Sequence, residues 1–328
     1  MKILFICPNW AGLAVPIVNE MVKQGHDVTH LDHNDFSSFK YLNRSHRVLS
    51  KMYQFLTKES YKHRMTDLEI TRTIDSFFIK RDNFDVILMT EPSLFNRHHI
   101  NQLKLHCKSL SVALWDSLTK SKDNNVNLDL FDIVFSYDSE DCHQYGFHKI
   151  NNYIDPSWTT DVSINDAKYD VFSIMSFTKE RYKNVVSFLN ANPSILSNIF
   201  FYIDNEKKRK YIKDTRVKVI NKLMLGDELK DNIENSKSIL DFLQGHQAGL
   251  SFRVYESLGY KRKLITTNAY IKEYDIYNES NIFVLNKGCY KIPNDFICSH
   301  YIEVPEQKIK KYLISSWVDN ILGKVTIH

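Results

Sequence analysis

Short apolar runs alternate with stretches of helical periodicity along almost the whole chain, and the rhythm breaks once and restarts. A chain so patterned folds as parallel strands covered by helices, because a helical crossover returns each new strand to the same end of the sheet. Before the break, strands are expected at Lys2–Cys7, Asp27–Leu31, Asp85–Met89, Ser109–Leu114, Ile133–Ser136 and Lys149–Ile150, with helices at Leu13–Gln24, Thr66–Lys80, Ile100–Cys107 and Ser139–Tyr145. Gly25 stands where the first helix needs a left-handed residue to stop. The polar segment around Pro156 reads as a linker. After it, strands are expected at Tyr169–Met175, Ile199–Ile203, Val217–Ile220, Ser238–Phe242, Lys263–Thr267 and Asn281–Leu285, with helices at Glu180–Asn190, Glu206–Lys213, Leu250–Leu258 and Ile309–Leu322. The expected architecture is α/β: two Rossmann-like, doubly wound domains, residues 1–155 and 156–328, facing a central cleft, with the last helix returning to the first domain. Ligands in such sheets bind outside the carboxyl ends of the strands, which places the site at that cleft.

The 328 residues suffice for two such cores, and 43% hydrophobic with 25% charged residues is a globular composition. No apolar run approaches the roughly 20 residues that span a bilayer. The start, MKILFICP, enters a strand pattern without a cleavable signal, so a cytoplasmic protein is expected. The five cysteines lack metal or CxxC spacing and read as small buried hydrophobes. A net charge of +4 does not imply nucleic-acid binding. Between Phe39 and Arg64, however, seven Lys and Arg face the single acid Glu59 and are interleaved with Phe39, Tyr41, Tyr53, Phe55 and Tyr61. Such a mixture suits either a solvated helical face or a surface helix resting on anionic lipid at the inner face of the membrane.

The segment from Gln244 to Leu285 carries the sharpest functional signal. It reads as a polar turn, a helix opening near Gly249 with Arg253 and Glu256 one turn apart, and a strand running into Thr266, Thr267 and Asn268. A helix amino end suits a phosphate, an acid further along it can reach a ribose diol, and the polar strand end closes the pocket. Ser176 and Lys179, at the end of the first strand after the restart, could also meet phosphate oxygens. Lys179 or Arg253 would neutralise a diphosphate leaving group. The competing reading of Arg253 and Glu256 is an ordinary helical ion pair.

The segments Gln247-Ala248-Gly249-Leu250-Ser251-Phe252-Arg253, Lys263–Asn268 and Tyr274–Asn278 resemble the donor site of GT-B glycosyltransferases. More narrowly, they are similar to bacterial lipopolysaccharide and capsule biosynthesis proteins of the CgeB-like kind. Trp115-Asp116-Ser117, Phe131-Asp132, Tyr169-Asp170-Val171 and Trp317 extend the resemblance over most of the chain. It implies that Glu256 binds the ribose hydroxyls and that Gln247, Gly249, Leu250 and Ser251 line the diphosphate. It also implies a nucleotide-sugar substrate, UDP being the commonest nucleotide, and a lipopolysaccharide, O-antigen or capsule glycan as acceptor. Retaining members place a second glutamate eight residues before this acid, where this chain has Ala248, so the stereochemical outcome is not inherited.

The first half should then hold the acceptor and, for inversion, a general base. Asp116 follows an apolar strand and is the first candidate, an N-cap being its alternative use. Glu91 is the second, and His98 and His99 come third. Asn9, Trp10 and Gly12, after the first strand, are expected to contact the acceptor. That turn lacks GxGxxG, and the chain has no P-loop, HExxH or GxSxG, which disfavours dehydrogenase, P-loop, zinc-protease and hydrolase chemistry. No DxD motif occurs in its usual setting, so a metal-independent transfer without cofactor is expected. The alternatives are a catalytically silent GT-B-shaped partner of a polysaccharide machinery, and an epimerase or phosphorylase using the same pocket.

Overall fold

A computed structural model describes residues 1–325 apart from 10, 11, 37, 38, 80, 82, 121–126, 244, 246 and 287. The chain divides into two compact units, Met1–Ile150 with Val318–His328, and Asn151–Trp317.

The first unit contains strands β1 (Lys2–Ile6), β2 (Asp27–Leu31), β3 (Phe84–Met89), β4 (Cys107–Leu114), β5 (Ile133–Ser136) and β6 (His148–Lys149). They form one parallel sheet in the order β2-β1-β3-β4-β5-β6. Strands covered on both faces read as continuous apolar runs, and Ile3 to Ile6 are wholly buried. Each such side chain contributes roughly 1.5–3 kcal/mol by leaving water. The helix Ala14–Lys23 ends as its sequence signals: Gly25 takes φ +86°, its N–H meets the Val22 carbonyl, and the His26 N–H meets that of Met21. From β1 the chain moves outward to β2, then returns to place β3 on the other side of β1. The winding direction therefore reverses between β1 and β3.

The second unit repeats the plan with β7 (Tyr169–Ser176), β8 (Ser197–Tyr202), β9 (Val217–Ile220), β10 (Ser236–Asp241), β11 (Lys263–Thr266) and β12 (Ile282–Val284). Their order is β12-β11-β10-β7-β8-β9, again wholly parallel, so the reversal lies between β7 and β10. Phe172, Ile199, Phe201, Ile239, Leu240, Leu264 and Ile265 are fully buried in this sheet.

Several expected boundaries move for identifiable reasons. The helix expected at Ile100–Cys107 spans Arg97–Lys104, because Asn96 and His99 form a reciprocal cap at its start and Cys107 already belongs to β4. The helix expected from Thr66 begins at Tyr61, where the Ser60 hydroxyl accepts the His63 N–H. The helix expected over Ile309–Leu322 is divided into Glu306–Lys310 and Ile314–Val325, because Ile154 pairs with the backbone between them. Glu206–Tyr211 is a 3-10 segment, and a helix at Gly226–Glu234 was not anticipated. The cysteines are not uniformly buried: Cys289 and Cys298 are exposed, and Cys7 is fully buried with its thiol pushed up to about 12 by desolvation.

Candidate functional site

In the second unit a cavity of ≈ 270 Å³ opens at the carboxyl ends of β7 and β10, the point where the winding reverses. Its walls come from the ends of the two strands, from Arg181, and from Ser251, Phe252 and Arg253 at the start of the helix Phe252–Gly259. Parallel strands diverge there because their outgoing connections leave to opposite faces, which opens the crevice that doubly wound sheets use for ligands. The volume lies just below the roughly 300–1,000 Å³ of small-molecule sites, enough for a diphosphate with part of its substituents.

Arg181 sits in the first turn of the helix Lys179–Ala191, whose cap is the Thr178 hydroxyl accepting the Arg181 N–H at 3.1 Å. Its guanidinium donates to the Ser176 carbonyl at 3.5 Å and the Phe242 carbonyl at 3.3 Å, spanning the two strand ends, while its Nε–H has no partner. Burial lowers its pKa, the charge of Asp241 raises it and that of Arg253 lowers it again. Two guanidinium groups thus share one cavity. At the floor, the buried Asp241 carboxylate accepts the Thr266 hydroxyl at 3.0 Å. Desolvation raises its pKa, against opposing effects of Thr266, Ser251, Arg181 and Arg253. The Ser251 hydroxyl lies close enough to bias that carboxyl but makes no hydrogen bond of regular geometry.

The loop before the helix is fixed by two buried amides. Asn268 donates to the Gly249 carbonyl at 3.0 Å and Asn152 to the Leu250 carbonyl at 2.9 Å. With the Leu250 carbonyl so engaged, the helix starts at Phe252, two residues later than expected, and Ser251 as N-cap places no side-chain oxygen on the first-turn N–H groups. Those groups give the cavity a partial positive charge beside the two cations.

The structure brings together Ser176, Ser251 and Arg253 from the expected donor set. Arg253 is bonded to Glu256 one turn on, so the helical ion pair exists, and it joins a cavity-lining cation to a buried acid. Burial raises the pKa of Glu256, Arg253 lowers it and Asp241 raises it. Glu256 itself stands behind Arg253 rather than on the cavity wall. Gly249 and Leu250 are buried under the two amides. The Thr267 hydroxyl accepts the Leu243 N–H at 2.9 Å and Asn268 holds Gly249, so both shape the loop. Gln247 is buried with its amide nitrogen unpartnered and lines none of the wall, and exposed Lys179 lies over the Tyr211 ring. Arg181, Asp241 and Asn152 were missed. A signal for Arg181 was its place just after a capping Thr178; for Asp241 it was an acid inside an apolar strand.

In the first unit Asn9, Glu91 and Asp116 follow β1, β3 and β4, three adjacent strands, on the carboxyl side of the sheet. The Asn9 N–H donates to Asp32 at 3.3 Å, Glu91 accepts the Ser93 hydroxyl at 2.7 Å, and Asp116 pairs with Lys120. Among the described residues Asp116 caps no helix. Gly12 has φ +72°, a left-handed turn that glycine makes without strain. Trp10 lies outside the described residues. His99 is fully buried, receives the Asn96 N–H and lies 3.1 Å from both the Thr71 hydroxyl and the Asp67 carbonyl, which gives it a structural role. Among the described residues no three His, Cys, Asp or Glu side chains converge as a metal site would require.

No protein-family model and no curated sequence matches the chain. Solved structures do. AviGT4, a glycosyltransferase involved in avilamycin A biosynthesis, is 11% identical with a TM-score of 0.61 over 99% of this chain and 97% of its own. A protein from Listeria monocytogenes described as a UDP-N-acetylglucosamine 2-epimerase is 12% identical with a TM-score of 0.54 over 99% and 95%. At such identities the likeness establishes the fold: this is an α/β chain of the GT-B class, with two Rossmann-like units each built on a six-stranded parallel sheet.

Proposed function

We propose that the chain is a glycosyltransferase that takes a sugar from a nucleotide diphosphate donor, UDP being the first to test, and delivers it to a surface glycan. The reading rests on one observation above others: two guanidinium groups, Arg181 and Arg253, in one cavity at the β7/β10 reversal. As the bond between sugar and diphosphate breaks, negative charge grows on the phosphate oxygens, and fixed cations in a partly desolvated site stabilise that charge without reorganising. The first-turn N–H groups of the helix Phe252–Gly259 act in the same sense. Glu256 would meet the ribose hydroxyls after exchanging part of its contact with Arg253. Lys179, Gln247, Gly249, Leu250, Thr267 and Asn268 would frame the donor indirectly, through loop shape and long-range charge.

In the first unit Asp116, with Glu91 as the alternative, would take the proton of the attacking hydroxyl, Asp116 releasing Lys120 to do so. Asn9, Trp10 and Gly12 would contact the acceptor. A lipopolysaccharide, O-antigen or capsule glycan fits the CgeB-like resemblance, as does a cytoplasmic location. The guanidinium groups take the charge that a divalent cation takes elsewhere, so transfer should proceed in EDTA. The experiment is a panel of UDP-, GDP-, CMP- and TDP-sugars with nucleotide release as readout, comparing the wild type with Arg253→Ala. Release that falls strongly in the variant supports the proposal, and equal release from both removes Arg253 from it.

The likeness to the Listeria protein favours a second reading, chemistry on the sugar of a nucleotide sugar without transfer. The same panel separates the two, since an epimerase changes the sugar's configuration with no acceptor present. A silent binding partner of a polysaccharide machinery would leave every donor intact.

A further inference from the structure

The helix Arg44–Thr57 is mounted the wrong way round for a globular protein. Its cap is orthodox: the Asn43 side chain accepts the His46 N–H at 2.8 Å, and Lys58, at φ +60°, ends it with an N–H on the Gln54 carbonyl. The inward residues are His46, Ser50 and Tyr53, one polar stripe at helical spacing. His46 lies 3.1 Å from the Tyr61 hydroxyl, and its ring joins Phe39, Tyr41 and Tyr61 in an edge-on cluster with centroids 5.2–6.0 Å apart. Tyr53 packs on Tyr61 and receives the Arg64 guanidinium on its hydroxyl. Four of the five aromatics that the sequence suggested as a lipid-facing set are therefore engaged in attaching the helix to its neighbour.

The aliphatic side chains face out instead. Leu49 is 61% exposed, Phe55 86% and Leu56 77%, with Val48 and Met52 beside them, and around Val48, Met52, Phe55 and Leu56 they frame an apolar trough of ≈ 310 Å³. At helical spacing these five positions fall within a stripe about 120° wide. Soluble surfaces scatter single apolar residues but rarely gather them on one helix face, so such a face has an occupant.

We infer that the outward face of the helix Arg44–Thr57 docks on a bilayer of anionic phospholipid, lying in the plane of the headgroups with Leu49, Phe55 and Leu56 inserted. Charge selects this occupant over an apolar protein surface. Arg44, Arg47 and Lys51 flank one side of the aliphatic stripe, and seven Lys and Arg stand against one acid between Phe39 and Arg64. Long basic side chains beside an apolar face can keep their charge among lipid phosphates while their stems join the apolar layer. Among the described residues no helix is long and apolar enough to cross a membrane, so contact is at the surface. The inference does not depend on the donor cavity, which lies in the other unit.

The test is flotation of the full chain with phosphatidylcholine vesicles and with vesicles that also contain phosphatidylglycerol. Binding should be roughly tenfold or more tighter to the anionic vesicles and weaken with salt. Leu49→Ser/Phe55→Ser/Leu56→Ser should abolish it while the melting temperature and circular dichroism stay unchanged, because these side chains contact little else. Arg44→Gln/Arg47→Gln/Lys51→Gln should reduce it at low salt. Failure of the wild type to float with anionic vesicles overturns the inference, as does flotation that the triple serine variant retains. A concentration-dependent dimer lost in the serine variant, without vesicle binding, would assign the face to a second copy instead.

Discussion

The carboxyl ends of the two sheets carry similar residues arranged in opposite ways. After β1, β3 and β4 each polar group has its own local partner: Asn9 with Asp32, Glu91 with Ser93, Asp116 with Lys120. After β7 and β10 the charges instead converge on one cavity, where Arg181, Arg253 and Asp241 feel each other's fields in a partly desolvated volume. Charges held in common and away from water act on a ligand far more strongly than exposed pairs. One end gathers its charges into a shared field; the other ties each polar group to a partner of its own.

The largest test of that contrast is Arg181→Ala. Losing a charge-assisted pair of contacts should weaken UDP binding by about a hundredfold, near 3 kcal/mol. Asp116→Asn and Glu91→Gln should leave it within about twofold while lowering transfer. Calorimetric titration reads the affinities, with a thermal melt to show that Arg181→Ala still folds. Comparable loss of UDP affinity in Asp116→Asn would erase the distinction between the two ends.

A second test concerns acid. In the first unit burial pushes the His33 imidazole down to about 4, with Asp32 opposing, and its Nε2 has no partner. A base whose folded pKa is depressed costs stability as the unfolded chain protonates first, so stability present at pH 7 is lost between about 6.5 and 4. At ~1.4 kcal/mol per pH unit this amounts to about 3 kcal/mol. Denaturant titrations across that window should show the loss, and His33→Gln should flatten it. An unchanged slope in the variant would clear His33 of the effect.

The smallest test is Asp241→Asn. The raised pKa of Asp241 means that the fold is favoured by protonation: this contribution is complete below the ordinary carboxylate range and lost as pH rises through the raised value. The variant should gain melting temperature over the wild type as pH rises above about 4. It should bind UDP about fivefold tighter, near 1 kcal/mol, because the cations lose a competing anion. Weaker binding would instead make Asp241 an acceptor for the ligand.

Much of the fold was legible because short strand-like runs stand between polar stretches: β2, β5 and β9 begin and end where Asp27–Leu31, Ile133–Ser136 and Val217–Ile220 were read, although β2 and β9 are edge strands of mixed polar and apolar residues. The helix Gly226–Glu234 escaped because its apolar face is thin, although Asp227 and Glu228 in the first turn were available as a start signal. The site was legible in part. Arg253 was found through helical spacing and its setting, whereas Arg181 sits in a run of mixed charge where only its place after the capping Thr178 separates it from Lys183. Its importance comes from β10, sixty residues away in sequence and adjacent in space. Long-range pairing of that kind is outside the reach of periodicity. The helix Arg44–Thr57 shows the converse failure: composition grouped Phe39, Tyr41, Tyr53 and Tyr61 with the basic residues as one outward set, whereas these rings pack on one another and Leu49, Phe55 and Leu56 face out.

The way Arg181 is held has a practical corollary. Its anchors are the main-chain oxygens of residues 176 and 242, which no amino-acid replacement removes. Under the proposed donor role, a change in which sugar or base the crevice accepts would come from re-lining it at Met175, Phe242 or Phe252, with the Arg181 anchors kept. Tolerance of this sort makes the wall, rather than the cation, the place where new preferences would evolve.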